Sequence, residues 1–269
     1  MDKQYLYTIG YTSFMRTNDL DIDPSNNLDL DRLFATLKGY QVNYLCDVRS
    51  VPYSGQFRNA SADSLKLKGK EYGIPYVHMP ELGAKAQADQ DVFSPACEVF
   101  FENEVFPIAK SNRPEKTELQ GSDEIVDFNK FRYDEFFVSG LKRVEVAYEK
   151  GFTLCLMCSE KYPMDCHRYF LISKALHNKF SDWLEVRHIV MRQGKSELIT
   201  QSQLDSELEN HVCTRLRINK DEILTPSLFG DSVLDNYYGE TQQEKLNDYC
   251  DRFWNLYHGW KKGNLNNYD

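Results

Sequence analysis

The sequence predicts an α/β protein: a mainly parallel sheet flanked by helices, with an appended C-terminal helical segment. Three observations predict it. Short apolar runs rich in aromatic and β-branched residues alternate with stretches whose apolar residues recur at helical spacing. Each link between consecutive runs is long enough for a crossover, which parallel neighbours require. After about residue 200 the strand-like runs stop. The expected organisation is therefore an α/β domain over residues 1–200 and a helical extension over 201–269 that packs on it.

Tyr5–Ile9 reads as a buried strand ending at Gly10, and the acidic stretch Asp19–Asn27 as a loop. Leu30, Leu33, Phe34 and Leu37 fall at helical spacing, with Gly39 as the stop. Val42–Val48 is the second strand, broken by Pro52, Ser54 and Gly55. Leu65–Tyr72 reads as helix stopped by Gly73, and Ile74–Met79 as the third strand. Phe93, Cys97, Phe100 and Phe101 suggest an apolar helix face, and Ser111–Lys130 an exposed, charged connection. Phe137, Leu141, Val144 and Tyr148 form a helical stripe that Gly151 ends. Phe152–Met157 is the fourth strand, Tyr169–Leu176 a helix, and Leu184–Val190 the last strand. Gln203–Val212 is a polar helix, and Leu246, Tyr249, Phe253, Leu256 and Trp260 form an aromatic-rich helical stripe.

The chain has 269 residues, with 41% hydrophobic and 13% aromatic content, enough for a sizeable core. A net charge of −9 argues against nonspecific duplex binding, while leaving room for a local basic cleft. Seven cysteines, an odd number scattered through apolar segments, do not fit a disulfide framework and point to a reducing compartment. The first residues lack an apolar leader, and no stretch approaches a membrane span. A cytoplasmic protein without membrane partners is the expectation.

Chemistry gathers after strand ends, where open α/β sheets place their ligand crevice. Tyr11, Thr12 and Ser13 follow the first strand; Asp47, Arg49 and Ser54 follow the second; His78 and Glu81 follow the third. Cys158, Glu160, Cys166, His167 and Arg168 follow the fourth. Cys158 reads as a nucleophile or metal ligand, since a helix start with nearby His or Arg lowers a thiol pKa; otherwise it is a small filler at a strand end. Cys155 with Cys158 has redox-pair spacing, but in a strand their side chains oppose. His167 suits proton transfer, and Arg168 suits oxyanion or phosphate binding or else a structural ion pair with Asp47 or Glu160. Asp47 and Arg49 share a strand face, to orient a ligand or to form a buried pair. Glu81 serves as a base or a helix cap. A zinc site using Cys158, Cys166, His167 and His78 is a further alternative, set back because the adjacent Cys166 and His167 would rarely point at one ion. No Gly-rich dinucleotide fingerprint or P-loop occurs, so no cofactor is expected.

Four ordered motifs carry a family resemblance. They are Thr8-Ile-Gly-Tyr-Thr-Ser13, Asp47-Val-Arg-Ser-Val-Pro-Tyr-Ser54, Gly73-Ile-Pro-Tyr-Val-His-Met-Pro-Glu-Leu-Gly83, and Leu154-Cys-Leu-Met-Cys-Ser-Glu160 with Cys166-His-Arg168. Together with Arg187-His-Ile189, this order resembles the family called domain of unknown function 488, over about residues 5–200. The resemblance implies a compact α/β domain with its characteristic residues at one sheet edge. It carries over Asp47, Arg49, Glu81, Cys158, Glu160, Cys166, His167 and Arg168 as motif positions. Ala84 departs from the second glycine that relatives often carry there, and Asp19–Asn27, Ser111–Lys130 and the helical tail look like additions. The resemblance implies a fold and a site but no reaction.

The leading functional expectation is an enzyme acting on a small anionic, phosphate-bearing or nucleotide-like substrate. Arg49 and Arg168 hold the anion, Cys158 reacts, and His167 or Glu160 moves protons. The alternatives are a module that binds a nucleotide or nucleic-acid end without turnover, and the zinc site.

Overall fold

The computed structural model describes residues 3–16, 27–87, 89–101, 119–225 and 233–262. In chain order it forms β1 (Gln4–Gly10), α1 (Leu30–Gly39), β2 (Tyr44–Asp47), α2 (Ala62–Tyr72) and β3 (Tyr76–His78). The short elements β4 (Phe93–Pro95), α3 (Ala96–Val99), β5 (Glu124–Val126) and α4 (Phe128–Phe131) follow. Next come α5 (Glu135–Glu149), β6 (Leu154–Cys158), a π-helical turn (Arg168–Ser173), α6 (Lys174–Phe180), β7 (Leu184–Arg192) and β8 (Lys195–Thr200). The last elements are α7 (Gln201–Leu216), α8 (Lys220–Leu224) and α9 (Gln242–His258).

The chain divides into two compact units, Met1–Lys85 with Arg132–Gln201, and Ala86–Phe131 with Ser202–Asp269. Residues 86–131, which the sequence places with the α/β domain, group with the tail.

The first unit holds a six-stranded sheet in the order β3-β2-β6-β1-β7-β8. Its first five strands in that order run parallel, and β8 pairs antiparallel with β7. The central β6, Leu-Cys-Leu-Met-Cys, is buried along its whole length, as a strand covered on both faces must be. Cys155 and Met157 point to one face, with Tyr7, Ile9 and Leu45, against Leu33, Phe34 and Leu37 of α1 and Leu65 of α2. On α5, Tyr148 donates from its hydroxyl to the Tyr5 carbonyl at 2.8 Å and ties that helix to the sheet. Asp29, Ser61 and Asp134 cap α1, α2 and α5 by accepting from backbone N–H groups. Gly73 closes α2 with φ 70°, the left-handed stop that the sequence predicts.

Three expectations change. The α1 stop is Gln41, with φ 56°, rather than Gly39, which stays inside the helix. Leu184–Val190 is not the last strand: Gln193 and Gly194, with φ 47° and 82°, make a two-residue reversal into β8. The Phe93 region is not one helix, because Phe93 begins β4 and only the single turn of α3 follows.

The second unit pairs β4 with β5 and also holds α3, α4 and the C-terminal helices. Its α9 buries Leu246, Tyr249, Phe253 and Leu256; Trp260 lies beyond the helix end at His258. Asn255, fully buried, accepts from the Phe128 N–H at 2.6 Å and donates to the Val126 carbonyl at 2.9 Å. Of the expected exposed connection, residues 111–118 lie outside the described residues, and 119–130 contain β5 and buried Ile125, Val126 and Phe128. Within the Asp19–Asn27 loop only Asn27 is described. Among the described residues no helix is long and apolar enough to cross a membrane.

Candidate functional site

The carboxyl ends of β1, β2 and β6 lie side by side, since Gly10 pairs with Cys158 and Asp47 with Met157. This parallel register brings three distant motifs to one edge of the sheet.

At the end of β6, Cys158 is buried to 5% exposure. Its sulfur lies 3.8 Å from His167 Nδ1 and 3.9 Å from the Ser159 hydroxyl. The Cys166 sulfur is also 3.8 Å from His167 Nδ1. The Cys166 thiol, hydrogen-bonded to Cys158, lowers the Cys158 pKa well below the ordinary thiol range; this prevails over burial, and His167 and Arg168 assist. Burial, then the bond to Cys158, push Cys166 the other way. The two thiols are therefore shifted in opposite directions, with Cys166 the donor to Cys158. His167 Nε2 is buried without a hydrogen-bond partner. Glu160 is exposed, and its Oε1 accepts from the Ser159 hydroxyl at 3.2 Å. Desolvation of the carboxyl, then nearby Cys158, raise its pKa.

Arg168 is fully buried. Its Nη1 donates to the Glu160 carbonyl at 2.7 Å and its Nη2 to the Lys161 carbonyl at 3.3 Å. The guanidinium therefore grips the backbone of the loop after β6 instead of forming the ion pair considered with Asp47 or the Glu160 carboxylate. Thr12 donates to the Ser159 carbonyl at 2.6 Å, and Ser13 to the Lys161 carbonyl at 3.3 Å. The three side chains pin the same loop from two directions.

Asp47 is fully buried and Arg49 nearly so. Arg49 Nε and Nη2 reach both Asp47 oxygens, at 2.8, 3.1 and 2.5 Å, and Nη2 also donates to the Ala60 carbonyl at 2.8 Å. Burial works against the Arg49 charge, yet the Asp47 hydrogen bonds and charge overcome it and hold the guanidinium protonated. Arg49 Nη1 is buried without a partner. The guanidinium carbon sits 5.1 Å from the Tyr11 ring centroid. Burial raises the Tyr11 phenol, against hydrogen bonds with Ser54 and Arg49, and charge on Cys158 raises it further. Tyr11 therefore stands between the Asp47–Arg49 pair and the Cys158 turn. Ser54 Oγ also accepts from the Phe57 N–H at 3.1 Å.

Of the predicted residues, Glu81 turns away from this group, and His78 meets it through a backbone carbonyl. Glu81 is buried and paired with Arg143 of α5, and the absence of a Cβ on Gly140 makes room for it. His78 makes its ring contact, at 2.9 Å, with the Arg49 carbonyl. A cleft of about 490 Å³ opens on the α5 side of β2 and β3, lined by Cys46, Val77, Met79, Val146 and the basic Lys142 and Arg143. It contains neither Cys158 nor Arg49, so the chemistry of the sheet edge, rather than cleft size, marks the candidate site.

Tyr76 is the neighbour of the candidate site to which sequence reasoning assigns no place, whereas it notes Tyr11 after the first strand without a role. The Tyr76 hydroxyl donates to Asp47 Oδ2 at 2.7 Å. Its signal was the third-strand motif itself, but only the β2–β3 register places it over Asp47. Among the described residues Cys158, Cys166 and His167 form a group suited to a soft metal ion, with donor atoms all within 4.8 Å of one another.

No curated protein and no solved structure matches the chain. The family model described as Domain of unknown function DUF488 matches residues 29–104, which hold the Asp47–Arg49 and Glu81 motifs, and this match supports assigning that part of the chain to the family.

Proposed function

We propose that this protein is an enzyme acting on an anionic, phosphate-bearing or nucleotide-like substrate, with Cys158 as the reactive group. The observation that carries the reading is the convergence of Cys158, Cys166 and His167 with Tyr11 and Arg49 at the ends of three adjacent strands. Arg49 Nη1, unpartnered and preset by Asp47, is the donor for the anion. Arg168 shapes the loop and adds positive potential. The Cys158 thiolate attacks the electrophilic centre and a sulfur–substrate bond forms as the bond to the leaving group breaks. His167 gives the leaving group its proton, then takes one from the water that releases the product and restores the thiolate.

The test incubates the protein with nucleoside monophosphates, nucleoside diphosphates and phosphorylated sugars and follows product formation by mass spectrometry. Cys158→Ser abolishes turnover while circular dichroism stays native, and Arg49→Lys weakens substrate affinity. Full turnover by Cys158→Ser would remove the nucleophile. Thermal stabilisation by these compounds without turnover would leave a binding module instead.

A further inference from the structure

We propose that Cys158, Cys166 and His167 together form a zinc site with one coordination position open. The spacing of the donors comes first. Zinc holds sulfur at about 2.3 Å and imidazole nitrogen at about 2.0–2.1 Å, so two ligands of one tetrahedral ion stand roughly 3.5–3.8 Å apart. Both sulfurs lie 3.8 Å from His167 Nδ1, and all three donor atoms fall within 4.8 Å of one another. Little rearrangement separates this cluster from a coordination shell.

Adjacent residues rarely reach one ion, yet Cys166 and His167 do here for a backbone reason. Cys166 is extended, with φ −136° and ψ 144°, while His167 is helical, with φ −57° and ψ −20°. Along a strand, neighbouring side chains oppose; the change of backbone region between these two brings both to the side of Cys158. The intervening loop is already fixed by Thr12, Ser13 and Arg168, so binding would order little new chain. Two thiolates and an imidazole select zinc over magnesium or calcium, which prefer oxygen. Two thiolates also neutralise the ion, which suits a site where both cysteines are buried. Three protein ligands leave the fourth position for water or another ligand.

Zinc would occupy the sulfur that the proposed chemistry uses, so the loaded form would be silent. That consequence rests on the function proposed above; the metal site itself does not.

The experiment strips the protein of metal and titrates Zn²⁺ against a chromophoric chelator, with Co²⁺ as a spectroscopic substitute. One equivalent binds, and Co²⁺ gives a thiolate charge-transfer band. Cys166→Ser and His167→Ala each weaken binding by about a hundredfold or more, beyond the 10- to 100-fold typical of outer-shell changes. Cys97→Ser, at an exposed cysteine outside the cluster, keeps it. Where Cys166→Ser fails to fold, the partly exposed His167 carries the test. Absence of stoichiometric uptake, or uptake unchanged in the folded variants, overturns the proposal. Iodoacetamide labelling of Cys158, read by mass spectrometry, separates the two readings. Labelling that zinc blocks supports both. Labelling indifferent to zinc removes the metal site and keeps the thiol. Zinc uptake without labelling of the stripped protein keeps the metal site and removes the thiol.

Discussion

Gly10 lies against the loop that follows β6: a Cβ built on it would fall 1.8 Å from the Glu160 carbonyl oxygen. That oxygen is the one Arg168 Nη1 grips at 2.7 Å. A side chain at residue 10 and the loop's position are therefore mutually exclusive. Gly10 is extended, with φ −105° and ψ 118°, so close approach, and not backbone freedom, demands the glycine. Gly10→Ala should cost at least about 2 kcal/mol, as overpacking against fixed backbone does. Urea unfolding measures it, and a loss under half a kcal/mol would show that the loop yields freely.

Arg168 should behave as a scaffold. Its two hydrogen bonds to carbonyls come from a planar fork that a lysine ammonium cannot reproduce. Arg168→Lys should lower stability by roughly 2–3 kcal/mol, the scale of hydrogen bonds from a charged group. Thermal and urea unfolding of the ligand-free protein check this. Unchanged stability would return Arg168 to the role of anion ligand.

Asp47 should matter more to folding than any exposed pair. Asp47→Asn leaves Arg49 buried without its counter-charge, a change that costs about 3–5 kcal/mol. Tyr76→Phe removes one neutral donor from the same carboxylate and should cost about 1 kcal/mol. Unfolding midpoints of the two variants decide the order, and the reverse order would contradict the pairing.

His188 should make the protein sensitive to acid. It is fully buried between the Thr8 hydroxyl at 2.8 Å and Gln201 Oε1 at 3.2 Å. With Gln201 accepting from Nε2–H, Nδ1 is left to accept from Thr8, so the neutral ring satisfies both bonds. Burial first, then the Arg168 charge, push its pKa from 6.5 down to about 3. Between those values the unfolded chain binds a proton that the folded chain refuses. Stability from this group is therefore intact above pH 6.5 and falls as pH drops toward 3, by at most about 1.4 kcal/mol per pH unit. Urea unfolding from pH 7 to pH 4 should show a shallower acid slope for His188→Gln than for the parent. Equal slopes would remove His188 as the cause.

Much of the first unit was legible because its strands are short apolar runs and its helices have one apolar stripe. The β6 run Leu154–Cys158 and the α5 stripe through Phe137, Leu141, Val144 and Tyr148 follow directly from those periods. Strand β8 escaped because Lys195–Thr200 is half polar and its signal is only the Gln193-Gly194 reversal. The π-helical winding of Arg168–Ser173 escaped too: an apolar run such as Tyr169–Ile172 predicts a helix but not its pitch. The packing of residues 86–131 escaped because their partners lie more than a hundred positions away, as with Phe128 and Asn255.

By itself the sequence determined which residues could do chemistry and that most of them follow strand ends, because strand periodicity and breaker residues are local properties. Only the tertiary structure decided their company. Strand register put Cys158 beside Gly10 and drew Tyr11 toward Arg49, while packing against α5 took Glu81 to Arg143. It also turned Arg168 inward onto two carbonyls. A side chain's identity fixes what it can bond, but its partner is chosen by elements that meet only when the sheet closes.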